Sequence, residues 1–169
     1  DMRCAVMRAM NEMNAELFLP HADRLTPAAL IPMHTPAEAI AELDHAIGHL
    51  GLKTAMIVST IRRPMPDEAT PTGAQAGPAP YWIDPIALDS AHDYDPVWRR
   101  CLELGIAPTD HGSSMGWVNR SSPTNYMYNH IGHFAAAGEA FCKALFFGGV
   151  TRRFPDLNFA FLECGVGWA

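Results

Sequence analysis

The sequence predicts an α/β fold built on parallel strands, and three observations carry that prediction. Amphipathic helices alternate with short apolar strands, in the order α, β, α, β, long loop, α, β, α, β. The strands are apolar on both faces, as strands covered by helices should be. The strand-to-strand connections run through helices, which implies right-handed crossovers. A closed barrel and an open doubly wound sheet share this alternation. No GxGxxG or GxxxxGKS/T run follows any strand, so nothing suggests a nucleotide fold.

The first helix is expected over residues 2–18, with Val6, Met10, Met13 and Leu17 on one face and Arg8, Glu12 and Glu16 elsewhere. Pro20 ends it. The apolar run from Leu25 to Met33, flanked by prolines, is too short for a helix and predicts a buried strand. Thr35 is then an N-cap, Pro36 takes the first helical position, and Glu38 follows three residues after the cap. Ile40, Leu43, Ile47 and Leu50 form the expected buried stripe of that helix. Glu38, Glu42, His45 and His49 form the opposite one, and Gly51 closes it. A strand follows at Lys53–Thr60.

From Ile61 to Asp93 six prolines and two glycines forbid long regular structure, so a long Pro-rich loop is expected at 61–93. A loop of that length inside a compact domain is usually functional or mobile. Asp95-Pro96 then has the look of a cap and first turn, with Val97, Cys101 and Leu104 on one face and Gly105 as the stop. The next strand is expected at Ile106–His111. Ser122-Pro123 opens another helical stretch whose buried face is Phe134, Phe141 and Leu145. A short turn, VTRRF, leads to a last strand at Asn158–Glu163.

Composition narrows the function. A formal charge of −6 and arginine doublets scattered at 62–63, 99–100 and 152–153 argue against a nucleic-acid footprint. No apolar run reaches the roughly 18 residues of a membrane span. Cys4, Cys101, Cys142 and Cys164 contain no CxxC pair, which excludes a zinc ribbon and makes a disulfide framework a poor fit. Reduced, mostly buried thiols in a cytoplasmic protein are the expectation. The opening at Asp1 and the stop just after an apolar strand look like cut ends.

Three segments carry a family resemblance. They are DRLTPAALIPMHTPAEAIAELDHAIGHLGLKTAMI, YDPVWRRCLELGIAPTDH and GGVTRRFPDLNFAFLECGVGW. Their order and spacing resemble the amidohydrolase-related family that includes aminocarboxymuconate-semialdehyde decarboxylase. The likeness covers nearly the whole chain apart from the proline-rich loop. It implies a (β/α)₈ barrel of roughly twice this length, of which this chain is a central part, about strands 3 to 6 of a single domain. It also implies an HxH pair ending strand 1, histidines ending strands 5 and 6, and an aspartate ending strand 8. By that analogy His111 is the strand 5 ligand. Where many relatives have histidine at the end of strand 6, this chain has Glu163, within an LE-G-GW ending that marks a subgroup of the family. The HxH pair and the distal aspartate have no counterpart in this sequence.

The implied cofactor is one divalent metal ion, zinc first, with manganese or iron as the alternatives. His111 and Glu163 stand about fifty residues apart, yet strand ends of a barrel converge on one face and would make them neighbours. For each, a backbone-bonded histidine or a salt-bridged acid is the plainer alternative. An acid ending a strand as apolar as NFAFL is costly to bury without a partner, which favours a site role, as ligand or as general acid/base. The resemblance implies a hydrolase acting on a small carbonyl- or carboxylate-bearing molecule. A metal-dependent non-oxidative decarboxylase is the alternative, and a barrel that has lost its site is the rival from another class. The expected partner is a small-molecule substrate, with no nucleic acid and no membrane, and a homo-oligomer is compatible with the sequence.

Other candidates are weaker. His45 and His49 form an HxxxH pair, but no glutamate lies between them and the pair sits on the polar stripe, so surface decoration is the better reading. His130, His133, Asn125 and Asn129 lie just after the strand 5 loop, where partly exposed imidazoles at a helix start outweigh a substrate contact. Tyr81, Trp82 and His92 lie in or near the long loop, which is expected to leave the catalytic edge of the sheet.

Overall fold

A computed structural model describes residues 1–65, 80–111, 122–131 and 133–167. Four strands, β1 (Ala28–Leu30), β2 (Thr54–Ile57), β5 (Pro108–His111) and β6 (Ala160–Leu162), form one sheet in the order β1-β2-β5-β6. All three pairings are parallel and neighbours follow chain order, as expected of a barrel segment and not of a sheet that reverses about a switch point. The register sets Ala29 beside Ala55, Ile57 beside Asp110 and Asp110 beside Phe161. These positions share one face by strand alternation. Ala29, Ala55, Ile57 and Asp110 are buried there against helices. Leu30, Met56 and His111 lie on the other face and keep partial exposure.

Helix α1 (Met2–Phe18) forms as predicted but is rotated relative to expectation. Val6, Met10, Met13 and Leu17 are exposed, whereas Asn11 and Ala15 are buried. The reason is a polar seam between α1 and α2 (Pro36–Leu43). The Asn11 side chain accepts from Leu30 N at 2.7 Å and donates to Leu30 O at 2.9 Å and Glu42 Oε1 at 2.8 Å. Arg3 pairs with Glu38, Arg8 with Glu42, and Glu12 Oε1 lies 3.3 Å from His45 Nε2. Glu42, expected on the outer stripe, is therefore only 3 % exposed. Its burial is tolerable because both carboxylate oxygens have donors.

Thr35 caps α2 by accepting from Glu38 N at 3.2 Å, as its sequence predicts. After Leu43 the helix widens into a π-helical segment, Asp44–His49, and ends at Gly51 with φ +79°. Helix α3 (Asp95–Glu103) buries Val97, Trp98 and Cys101. Asp95 is its first residue and not its cap. Asp93 Oδ1 accepts from Asp95 N at 2.9 Å, and the Asp95 carboxylate binds Arg153. The helical stretch after Ser122 divides into α4 (Tyr126–His130) and α5 (His133–Phe147), because Ile131 turns extended at ψ 122°. The VTRRF turn contains a single helical turn, α6 (Val150–Arg153). Trp98, Phe159 and Phe141 meet edge to face at the centre of the core.

The expected loop at 61–93 holds an antiparallel hairpin. Strand β3 (Ile61–Pro64) pairs with β4 (Tyr81–Asp84), Arg63 opposite Trp82. Prolines 64 and 80 bound the pairing without interrupting it, so edge-strand positions accommodate them. Residues 66–79, with Pro71, Gly73, Gly77 and Pro78, lie outside the described residues. The segment departs from the C-terminal end of β2, the edge on which β5 also ends. None of the four cysteines forms a disulfide; Cys101 and Cys164 are buried, and Cys4 and Cys142 are half-buried.

Candidate functional site

His111 closes β5 and Glu163 follows directly on β6, so both stand at the C-terminal edge of adjacent parallel strands. Their side chains meet: His111 Nε2 lies 3.5 Å from Glu163 Oε2. The pleat places His111 beside Leu162 on the open face of the sheet. Glu163 is not part of the strand. Its φ is +58°, a left-handed conformation that non-glycine residues rarely adopt, and Gly165 follows at φ +64°. This turn lifts the carboxylate off the strand, so Glu163 is 62 % exposed instead of buried. The expectation of a costly buried acid at this position is thus corrected.

The buried acid is Asp110, which the sequence reading passed over. It is fully buried on the helix side, where Ser59 donates to its carboxylate and the Cys164 thiol lies 3.8 Å from Oδ2. Oδ1 has no hydrogen-bond partner among the described residues. Burial pushes the Asp110 carboxyl up to about 6, against the hydrogen bonds from Ser59 and Cys164 and the field of His111. An acid inside the strand PTDH, next to the histidine already singled out, was the signal available in the sequence.

An aromatic run borders the pair. The His111 ring lies 6.0 Å from Phe134, Phe134 meets His130 edge to face at 5.4 Å, and His130 stacks on Tyr126 at 5.2 Å. His133, expected to be partly exposed, is buried at the start of α5. Asn125 caps α4 through Tyr128 N, and Asn129 clips Ser122 through both its backbone groups, so both amides serve the local turn. His45 is half-buried in the α1–α2 seam, and His49 is exposed beside it, ring centroids 5.5 Å apart. Both lie in the helix layer.

Hairpin β3–β4 is anchored to the same edge. Arg63, 13 % exposed, donates to Asp84 Oδ2 at 2.8 Å, to His34 O at 2.6 Å and to the Tyr94 hydroxyl at 2.9 Å. Tyr94 in turn donates to Met33 O at 2.5 Å. Trp82 is half-buried in β4, Tyr81 lies under the Arg62 guanidinium at 4.9 Å, and His92 is exposed. Burial holds the His34 imidazole below its ordinary range, and Arg3 and Arg63 reinforce this against Glu38.

The donor pair suits a divalent cation. Zinc bonds to nitrogen and oxygen of about 2.1 Å at a tetrahedral angle separate two donor atoms by about 3.4 Å. The 3.5 Å between His111 Nε2 and Glu163 Oε2 matches that spacing. The pair is an incomplete set, since no group of three or more candidate ligands converges among the described residues.

No curated protein sequence matches this chain. Solved structures do. A Staphylococcus aureus protein assigned as an amidohydrolase superposes with a TM-score of 0.62 at 17% identity, over 92% of this chain and 47% of that one. The 2,6-dihydroxybenzoate decarboxylase from Rhizobium superposes with a TM-score of 0.63 at 20% identity, over 92% of this chain and 44% of that one. The same enzyme complexed with 2,6-dihydroxybenzoate gives the same values. This chain therefore spans somewhat less than half the length of the structures it matches, and at these identities the likeness establishes the fold, part of a (β/α)₈ barrel. The Amidohydrolase family model matches residues 1–169, and the chain belongs to the amidohydrolase family.

Proposed function

We propose that this chain supplies the His111–Glu163 part of a metal centre in an enzyme that hydrolyses a small carbonyl- or carboxylate-bearing molecule. The observation that carries the reading is the 3.5 Å approach of His111 Nε2 to Glu163 Oε2 at the C-terminal edge of β5 and β6. In barrels that edge is where catalytic residues converge. A divalent ion held there, zinc first and manganese or iron as alternatives, supplies Lewis-acid polarisation of a neighbouring carbonyl or carboxylate group. His111 contributes a neutral imidazole donor, and Glu163 contributes a carboxylate that either completes the pair or holds a proton at Oε2. The hairpin β3–β4 stands at the same edge.

Non-oxidative decarboxylation is the second reading, favoured by the fold shared with a 2,6-dihydroxybenzoate decarboxylase. The partially exposed Leu30 and Met56 on the open face would desolvate a carboxylate, which assists loss of carbon dioxide.

The test uses the full-length protein that contains this chain. Bound metal, hydrolysis of 4-nitrophenyl acetate and carbon dioxide release from 2,6-dihydroxybenzoate are measured for wild type, His111→Ala, Glu163→Ala and His45→Ala. Each site variant is expected to lose tenfold or more in metal occupancy and about a hundredfold in turnover, with His45→Ala unaffected. Full metal content and full turnover in both site variants would remove the proposed centre.

A further inference from the structure

We propose that Cys164 is a positioning residue: seated between Gly138 and Asp110, it holds Glu163 in the left-handed conformation that directs its carboxylate at His111. This deepens the reading above and takes the His111–Glu163 pair as the site.

A glutamate at φ +58° is disfavoured by its own Cβ and persists only where the surroundings over-determine it. The next residue provides that constraint. Cys164 is 1 % exposed, and its thiol donates to Leu162 O at 3.0 Å while lying 3.8 Å from Asp110 Oδ2. Helix α5 closes the socket at Gly138, where an added Cβ would stand 2.4 Å from Cys164 Cβ and 2.6 Å from Sγ. Only glycine permits so close an approach. Asp110 is itself bonded by Ser59 and precedes His111 on β5. Each site residue therefore has a neighbour in the socket. The Asp110–Cys164 contact on the helix side and the His111–Glu163 contact on the open side are two ends of one brace.

The test compares full-length wild type with Cys164→Ser, Cys164→Gly and Gly138→Ala, by metal-free crystal structures and by zinc affinity in competition with a chromophoric chelator. Serine keeps the size and the donor, so Cys164→Ser retains the left-handed Glu163 and its approach to His111. Cys164→Gly and Gly138→Ala lose both, and zinc affinity falls tenfold or more. In a Glu163→Ala background, Cys164→Gly produces no further loss, which a general destabilisation would not reproduce. The inference is overturned if Glu163 keeps its conformation and its contact with His111 in Cys164→Gly, or if that substitution lowers affinity equally without Glu163. A carboxylate that moves while zinc affinity stays constant supports the positioning role and overturns the metal reading instead. Should Gly138→Ala fail to fold, the serine and glycine variants at 164 carry the same comparison.

Discussion

Asp110 and His111 follow one another along β5, and the pleat sends the first into the helix layer and the second onto the open face. His111 was readable from the sequence because it ends an apolar strand and because the family resemblance points at it. Asp110 was readable only as a residue type, since its partners Ser59 and Cys164 arrive from the turns that follow β2 and β6. Glu163 was marked by the family resemblance; only the added expectation that it is buried fails, because the turn at φ +58° exposes it. His34 leads to a pH prediction at this scale. Its folded pKa lies below the unfolded value of 6.5, chiefly because burial disfavours the charged ring. The unfolded chain therefore binds the proton more readily, so stability rises with pH across that interval. His34 contributes fully above 6.5 and loses its contribution as pH falls below it. Between pH 7.5 and 5 the wild type should lose more stability than His34→Gln, read as the shift in urea midpoint. Parallel curves for the two proteins would refute this.

Among elements, α1 shows how far periodicity reaches. The 3.6-residue repeat located the helix correctly, but the burial of a polar residue, Asn11, decided which face turned inward. Two ion pairs to α2, Arg3–Glu38 and Arg8–Glu42, then hold that orientation. Hairpin β3–β4 was hidden by its prolines, which mark its ends rather than prevent its pairing. Its anchor, Arg63 with the fully buried Asp84, supplies the element-level prediction. Removing one partner leaves the other charge buried and short of a bond. Asp84→Ala should therefore lower the unfolding free energy by about 3–5 kcal/mol, whereas replacing both by apolar residues should recover most of it. Equilibrium denaturation of the two variants checks the contrast, and equal losses would show that the pair is not acting as a unit.

At the scale of the molecule, the sheet has two strands with a single neighbour each, β1 and β6, among the described residues. Val6, Met13 and Leu17 on α1, and Phe146 and Phe147 on α5, are 44–71 % exposed. Unpaired strand edges and apolar helix faces of this kind promote association. The 169-residue chain on its own should therefore sediment as a distribution of oligomers and enhance the fluorescence of a hydrophobic dye. Lysine at Val6, Met13 and Phe147 should shift it toward monomer. A wild-type chain that sediments as one monomeric species without dye binding would contradict this account.

The sequence by itself determined the alternation of helices and strands, their parallel pairing, the caps at Thr35 and Gly51, and the strand end at His111. Each of these follows from local periodicity or from backbone preferences that act over a few residues. Only the tertiary structure decided that Glu163 meets His111 at 3.5 Å, that Cys164 rests on Gly138, and that α1 turns Asn11 inward. Those outcomes depend on how segments distant in the chain meet, through a buried polar group at Asn11, a close steric fit at Cys164 and an exposed contact at Glu163, and no spacing along the chain encodes them.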